Sequence, residues 1–164
     1  MIKTLILMRH AKSDWDDPLM PDFERPLNKR GRAAAPAIGN WITAQGLAPD
    51  LTLCSSANRT AETWALTGLE ADIRFEKRLY HATADMMLSV LQEAAGDTVM
   101  MIGHNPGIAD FAERLVKTPP THPDFWRYPT AATLIATLDI SDWIQAQFAQ
   151  ATAQTFIVPR DLTD

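Results

Sequence analysis

Arg9 and His10 follow directly on the apolar run Leu5-Ile6-Leu7-Met8. Burying a charge is costly unless it meets a partner, so a strand does not end this way for packing alone. A second apolar run, residues 99–102, ends in Gly103-His104-Asn105-Pro106-Gly107, and a third, residues 51–54, leads into Ser55-Ser56-Ala57-Asn58-Arg59. Three run ends thus deliver two arginines and two histidines. Arginine forks hold phosphate oxygens through charge-assisted, often bidentate hydrogen bonds, and a neutral imidazole can attack phosphorus. The set suits a phosphoryl group. Asn105-Pro106 also reads as a helix N-cap followed by proline at the first helical position, and free N–H groups at a helix start favour anions.

These residues need elements to position them. Strand and helix signals alternate, which predicts an α/β domain with a mostly parallel sheet. A strand over 2–8 is followed by a polar loop from Lys12 to Leu27. A helix then starts near Asn28, a good N-cap, with Ile38, Trp41 and Ile42 at helical spacing. Pro36 inside it is expected to kink or split it. The strand at 51–54 precedes a helix over 57–67, a weak strand at 73–75 and a helix over 84–95 carrying Met87, Leu91 and Ala94 on one face. The strand at 98–102 leads to the best helical period, Ile108, Phe111, Ala112 and Leu115. The proline-rich stretch 118–130 reads as a long loop, either a lid or binding segment or an irregular connection. A strand at 132–138, a short helix capped by Ser141 and bearing Trp143, and a strand at 155–158 complete the chain. In open α/β sheets, ligands bind beyond the carboxyl ends of strands near a reversal of strand order, which is where Arg9, His10, His104 and Arg59 fall.

The 164 residues suit one domain over 1–164, and 46% apolar content with a mean hydropathy of −0.13 describes a globular chain. The net charge of −5 is uneven: residues 1–32 hold seven Lys and Arg against five Asp and Glu, the remainder eight against fifteen. The acidic bulk argues against nucleic-acid or anionic-membrane partners. The single cysteine, Cys54, allows no internal disulfide and no cysteine-based zinc cluster. No stretch approaches the roughly 18 apolar residues of a membrane span, and the run at 4–8 is too short for a secretory signal. The expected compartment is the cytoplasm.

Leu7-Met8-Arg9-His10-Ala11 resembles the Arg-His-Gly or Arg-His-Ala signature of the histidine phosphatase superfamily, with its phosphoglycerate-mutase-like fold. The resemblance runs on in order through Asp22-Phe23-Glu24-Arg25-Pro26-Leu27, Lys29-Arg30-Gly31, Ser55 to Thr63, Gly103 to Gly107 and Tyr128-Pro129-Thr130-Ala131-Ala132. By size and motif the chain is similar to the short SixA-type phosphohistidine phosphatases. The resemblance implies a three-layer α/β/α domain with a mostly parallel central sheet. It implies that His10 carries the phosphoryl group covalently, that Arg9, Arg59 and His104 hold its oxygens, and that no metal or cofactor is needed. Asn105 and Arg25 join as candidate substrate contacts, though Arg25 is as well suited to pairing with nearby acids.

The general acid is ambiguous. Larger family members place a glutamate after the third strand, where this chain offers Glu76, His81 and Asp85 without a secure match. An alcohol leaving group needs a proton, whereas an imidazole leaving a phosphoramidate needs much less help. The expected partner is therefore a phosphorylated protein bearing phosphohistidine. A phosphatase of small phosphate monoesters and a non-catalytic phosphate-binding module are the alternatives. Lys12, Lys29 and Arg30 read as solvated charges near the mouth, Trp15 and Trp126 as loop residues able to cover it, and Trp41, Trp64 and Trp143 as core. Ser13 has no assigned role, and His81 and His122 read as surface residues, with His81 the better candidate for the pocket rim. A thiolate mechanism fits poorly, because four residues separate Cys54 from Arg59 where cysteine phosphatases have five, and a cysteine ending an apolar strand is inert.

Overall fold

The computed structural model describes residues 1–163. The elements run β1 (Ile2–Arg9), α1 (Lys29–Ala44), β2 (Leu51–Ser55), α2 (Asn58–Thr67), β3 (Asp72–Glu76), α3 (Ala84–Leu91), β4 (Thr98–Gly103), α4 (Gly107–Leu115), β5 (Thr133–Asp139) and β6 (Thr152–Ile157). Short 3-10 turns lie at Asp22–Glu24, Lys77–Leu79, Trp143–Gln145 and Pro159–Leu162. One sheet holds all six strands in the order β3-β2-β4-β1-β5-β6. The pairs β1/β4, β2/β4 and β2/β3 are parallel, while β5 is antiparallel to both β1 and β6.

Period-two alternation in β1 and β4 makes the layers. Leu5, Leu7, Val99 and Met101 face one core, which takes in Met87 of α3 and Ile108, Phe111 and Leu115 of α4. Ile6, Met8, Met100 and Ile102 face the other, with Ile38 and Ile42 of α1 and Cys54 of β2. Helices therefore cover both faces, giving the expected three-layer α/β/α arrangement. From β1 the chain crosses towards β2, and from β4 it crosses the other way to β5. The neighbours β1 and β4 thus form the switch point, and both end in site candidates.

Asn28 caps α1 as expected, accepting from Gly31 N at 2.9 Å. The helix runs on through Pro36 as a single element instead of splitting. The helix expected over 84–95 stops at Leu91. Asp142, not Ser141, caps the turn carrying Trp143, while Ser141 bonds Gln145. Trp143 is core, but Trp41 and Trp64 are half-buried at the edge of the second cluster. Among the described residues no helix is long and apolar enough to cross a membrane.

Candidate active site

His10 comes immediately after β1, and its backbone is clamped on both sides. Its N–H donates to Gly103 O at 3.1 Å, and its carbonyl accepts from Ala131 N at 3.0 Å. The next N–H, of Ala11, donates to Thr63 Oγ1 at 3.0 Å. The His10 ring nitrogen Nδ1 lies 2.7 Å from Ala11 O. A carbonyl oxygen only accepts, so Nδ1 carries the proton and Nε2 keeps its lone pair. Burial pushes the His10 imidazole down to about 3, with the Arg9 and Arg59 charges adding to it and the Ala11 hydrogen bond opposing. The ring is therefore neutral at pH 7.

His104 follows β4, its ring centroid 5.2 Å from that of His10. Its Nε2 shares a 2.8 Å hydrogen bond with Ser55 Oγ at the end of β2. Its Nδ1 is buried without a partner among the described residues, as is Arg9 Nε. Burial, then His10 and Arg59, push His104 down to about 2. Arg9, the last residue of β1, donates from Nη1 to Tyr128 O at 3.2 Å; burial and then the Arg59 charge lower its guanidinium from the ordinary value.

Arg59 lies in the first turn of α2. It donates to Asp22 O at 2.7 Å and to Asp22 Oδ2 at 3.1 Å, and the Tyr80 hydroxyl donates to the same Oδ2 at 2.6 Å. Burial alone would raise the Asp22 carboxyl, but the Tyr80 and Arg59 contacts outweigh it and hold it low. Arg9, His10, Arg59 and His104 all line one cavity of about 180 Å³. Lys12, Ser13, Trp15, His81, Asn105 and Thr130 complete its lining. Three cationic side chains at its wall make it electropositive within an acidic chain.

A family model for the histidine phosphatase superfamily (branch 1) matches residues 5–84. An uncharacterised Mycobacterium leprae protein is 30% identical over 163 residues, covering 93% of this chain and 100% of that one. An uncharacterised Mycobacterium tuberculosis protein is 38% identical over 101 residues, 60% of this chain, and the match spans 63% of the relative's own length. A solved structure of a candidate SixA phosphohistidine phosphatase from Nakamurella multipartitia superposes with a TM-score of 0.85 at 30% identity, covering 97% of each chain. The chain belongs to the histidine phosphatase superfamily. It is of the short SixA type.

Set against this histidine phosphatase frame, several candidates fall elsewhere. Arg25 is buried but does not line the cavity. Its guanidinium stacks on Trp15, 3.9 Å from the ring centroid, and donates to Asp14 O and Asp17 O, so it braces the loop after β1. Asn105 lines the cavity, yet it is no helix cap: α4 begins at Gly107 with Pro106 before it, and Asn105 Nδ2 donates to Arg127 O and Tyr128 O. Glu76 is held by Arg78 at 2.8 Å, and that hydrogen bond keeps its carboxyl low. Asp85 is exposed beside Arg114. Of the three acid candidates only His81 reaches the cavity. His122 bonds Asp161 away from it. Trp15 lines the cavity; Trp126 packs on Phe125 instead.

The 118–130 stretch braces the site from behind. Tyr128 is fully buried, and its hydroxyl donates to Leu7 O at 2.6 Å while its carbonyl accepts from Arg9 and Asn105. Cys54 is fully buried, and burial pushes its thiol up to about 12, which leaves it protonated. Sequence reasoning missed Asp22, Tyr80 and Ser55. Asp22 and Ser55 stand inside matched motifs, so position within the motif was the available signal; Tyr80 offered none.

Proposed function

We propose that this protein hydrolyses phosphohistidine on a partner protein, with His10 as nucleophile and transient phosphoryl carrier. The observation that carries the reading is the His10 ring, neutral and locked through Nδ1–H to the Ala11 carbonyl, in a cavity shared with Arg9, Arg59 and His104. Nε2 attacks phosphorus of a phosphohistidine whose second ring nitrogen carries a proton; the P–N bond breaks, its electron pair stays on the departing nitrogen, and the substrate imidazole leaves neutral. The phosphorylated His10 ring becomes cationic, and its Nδ1–H bond to Ala11 O strengthens. Water then attacks phosphorus, phosphate leaves, and the ring returns to neutrality without an added base. Arg9, Arg59 and His104 supply donors for the phosphoryl oxygens in both steps, which is where phosphoryl transfer needs help.

The substrate class follows from the leaving group. The carboxyl candidates are engaged with arginines outside the cavity, and Asp22, which reaches Arg59, is held ionised. None of these carboxyls offers an alcohol the proton it needs, which leaves His81, at the cavity wall, as the one donor among the three candidates. An imidazole already protonated on its second nitrogen departs as a neutral ring without such help, so phosphohistidine suits the site better than sugar phosphates. The test is a panel of phosphohistidine protein, sugar phosphate and p-nitrophenyl phosphate, with trapping of an acid-labile phosphoenzyme. Phosphohistidine is expected to turn over fastest, the label to map to residue 10, and His10→Ala to abolish turnover. Faster hydrolysis of sugar phosphates, or a label elsewhere, overturns the reading.

A further inference from the structure

The cavity of about 180 Å³ holds a phosphoryl group and little more, so the rest of a protein substrate must lie on the surface beside it. One wall residue, Thr130, also lines a second depression of about 250 Å³ that carries Arg30, Arg127 and Arg160. These arginines come from the first turn of α1, the segment before β5 and the turn after β6, so the cluster is made by the fold and not by a charge run. All three are exposed, and the lining includes one acid, Asp124, 3.4 Å from Arg127. The whole chain holds 15 Lys and Arg against 20 Asp and Glu, which makes a local surplus of positive charge here stand out. Arg30 and Arg160 also border a groove lined by Ala33, Ala37 and Leu162.

We propose that this arginine cluster is the docking surface for an acidic, amphipathic segment of the phosphoprotein substrate, lying beside the phosphorylated histidine. Carboxylates meet the three guanidiniums, and the segment's apolar face meets the alanine groove. A nucleic-acid backbone has charge for the first feature but no apolar face for the second. The overall negative charge of the phosphatase repels acidic partners, so the cluster orients those it admits. The proposal rests on the phosphoprotein reading above and names the part of the partner that is recognised.

The probes are two synthetic helical peptides of equal length, with Glu or Gln at the positions flanking one histidine. They are used phosphorylated on that histidine for turnover and unphosphorylated for binding. Three exposed ion pairs lead us to expect about tenfold tighter binding and lower KM for the Glu peptide, with the gap closing at high salt. Arg30→Glu with Arg160→Glu should erase the preference and leave phosphoramidate hydrolysis unchanged, which also reports that the variant is folded. Equal binding of the two peptides, or equal loss on phosphoramidate, overturns the docking surface. Turnover of neither phosphopeptide alongside good hydrolysis of p-nitrophenyl phosphate sinks the phosphohistidine reading instead, and binding of the unphosphorylated peptides still decides the docking surface.

Discussion

A histidine serves as a phosphoryl acceptor only if one nitrogen is free and the ring cannot turn. The 2.7 Å contact from Nδ1 to Ala11 O supplies both conditions for His10. The matching constraint on His104 is its 2.8 Å contact with Ser55 Oγ, because the rest of that ring has no partner among the described residues. Ser55 is fully buried, and its hydroxyl also accepts from Ala57 N at 3.3 Å, so its position is fixed. Ser55→Ala frees the His104 ring and removes little volume. A lost hydrogen bond of about 1 kcal/mol at a positioning residue corresponds to a fall in kcat of about five- to tenfold. KM for phosphate-bearing substrates should change less, because Arg9 and Arg59 remain. Ser55→Thr, which keeps the hydroxyl, should recover most of the loss. Steady-state kinetics on the three proteins decides, and an unchanged kcat in Ser55→Ala removes Ser55 from the positioning set.

At the scale of elements, two glycines in α1 let the helix approach different neighbours. A Cβ on Gly31 would lie 2.2 Å from Lys12 O, in the segment that follows His10, whereas a Cβ on Gly39 would lie 1.9 Å from Thr67 O at the end of α2. Both changes force backbone apart and should destabilise by about 1–3 kcal/mol. They should part company in activity. Gly31→Ala displaces the stretch holding Lys12 and Ser13 at the cavity, so kcat/KM falls even for the folded fraction; Gly39→Ala acts far from it and leaves kcat/KM of folded protein unchanged. Denaturant unfolding beside initial-rate measurements separates the two, and equal activity losses would refute the distinction. The same elements explain what could be read in advance. Apolar runs closing in Arg9-His10 and Gly103-His104 announce strand ends, because nothing in packing explains charge at those places. The direction of β5 was not legible, since an apolar run carries no sign of its polarity. The Asp22–Tyr80–Arg59 link joins residues up to 58 apart, and only the assembled sheet brings them together. Arg25 has the same composition as a phosphate ligand; its stacking on Trp15 belongs to the loop's own closure.

Across the whole molecule, the site imposes a cost that appears as acid sensitivity. His10 and His104 are each 5% exposed and neutral when folded, lowered from the ordinary 6.5 to about 3 and about 2, by burial first. The unfolded chain protonates both near pH 6.5, while the folded chain resists until far lower. Between those limits the unfolded state binds more protons, so stability is fully present above about pH 6.5 and is lost as pH falls below it. The carboxylates held low act in the same direction but at lower pH, Glu76 and Glu93 around and below their ordinary 4.5 and Asp22 and Asp161 around and below 3.8. The window from about pH 6.5 down to about pH 5.5 therefore reports on the two site histidines before the glutamates contribute. Thermal unfolding followed across that window should give a Tm that falls steadily with acidity, and proton uptake on unfolding should be measurable by calorimetry in buffers of different ionisation enthalpy. Replacing both histidines, His10→Asn with His104→Asn, should flatten the profile and remove most of the uptake. A wild-type Tm that stays level to about pH 5.5 would mean that both rings accept protons in the folded protein. A neutral nucleophile at pH 7 would then owe nothing to burial.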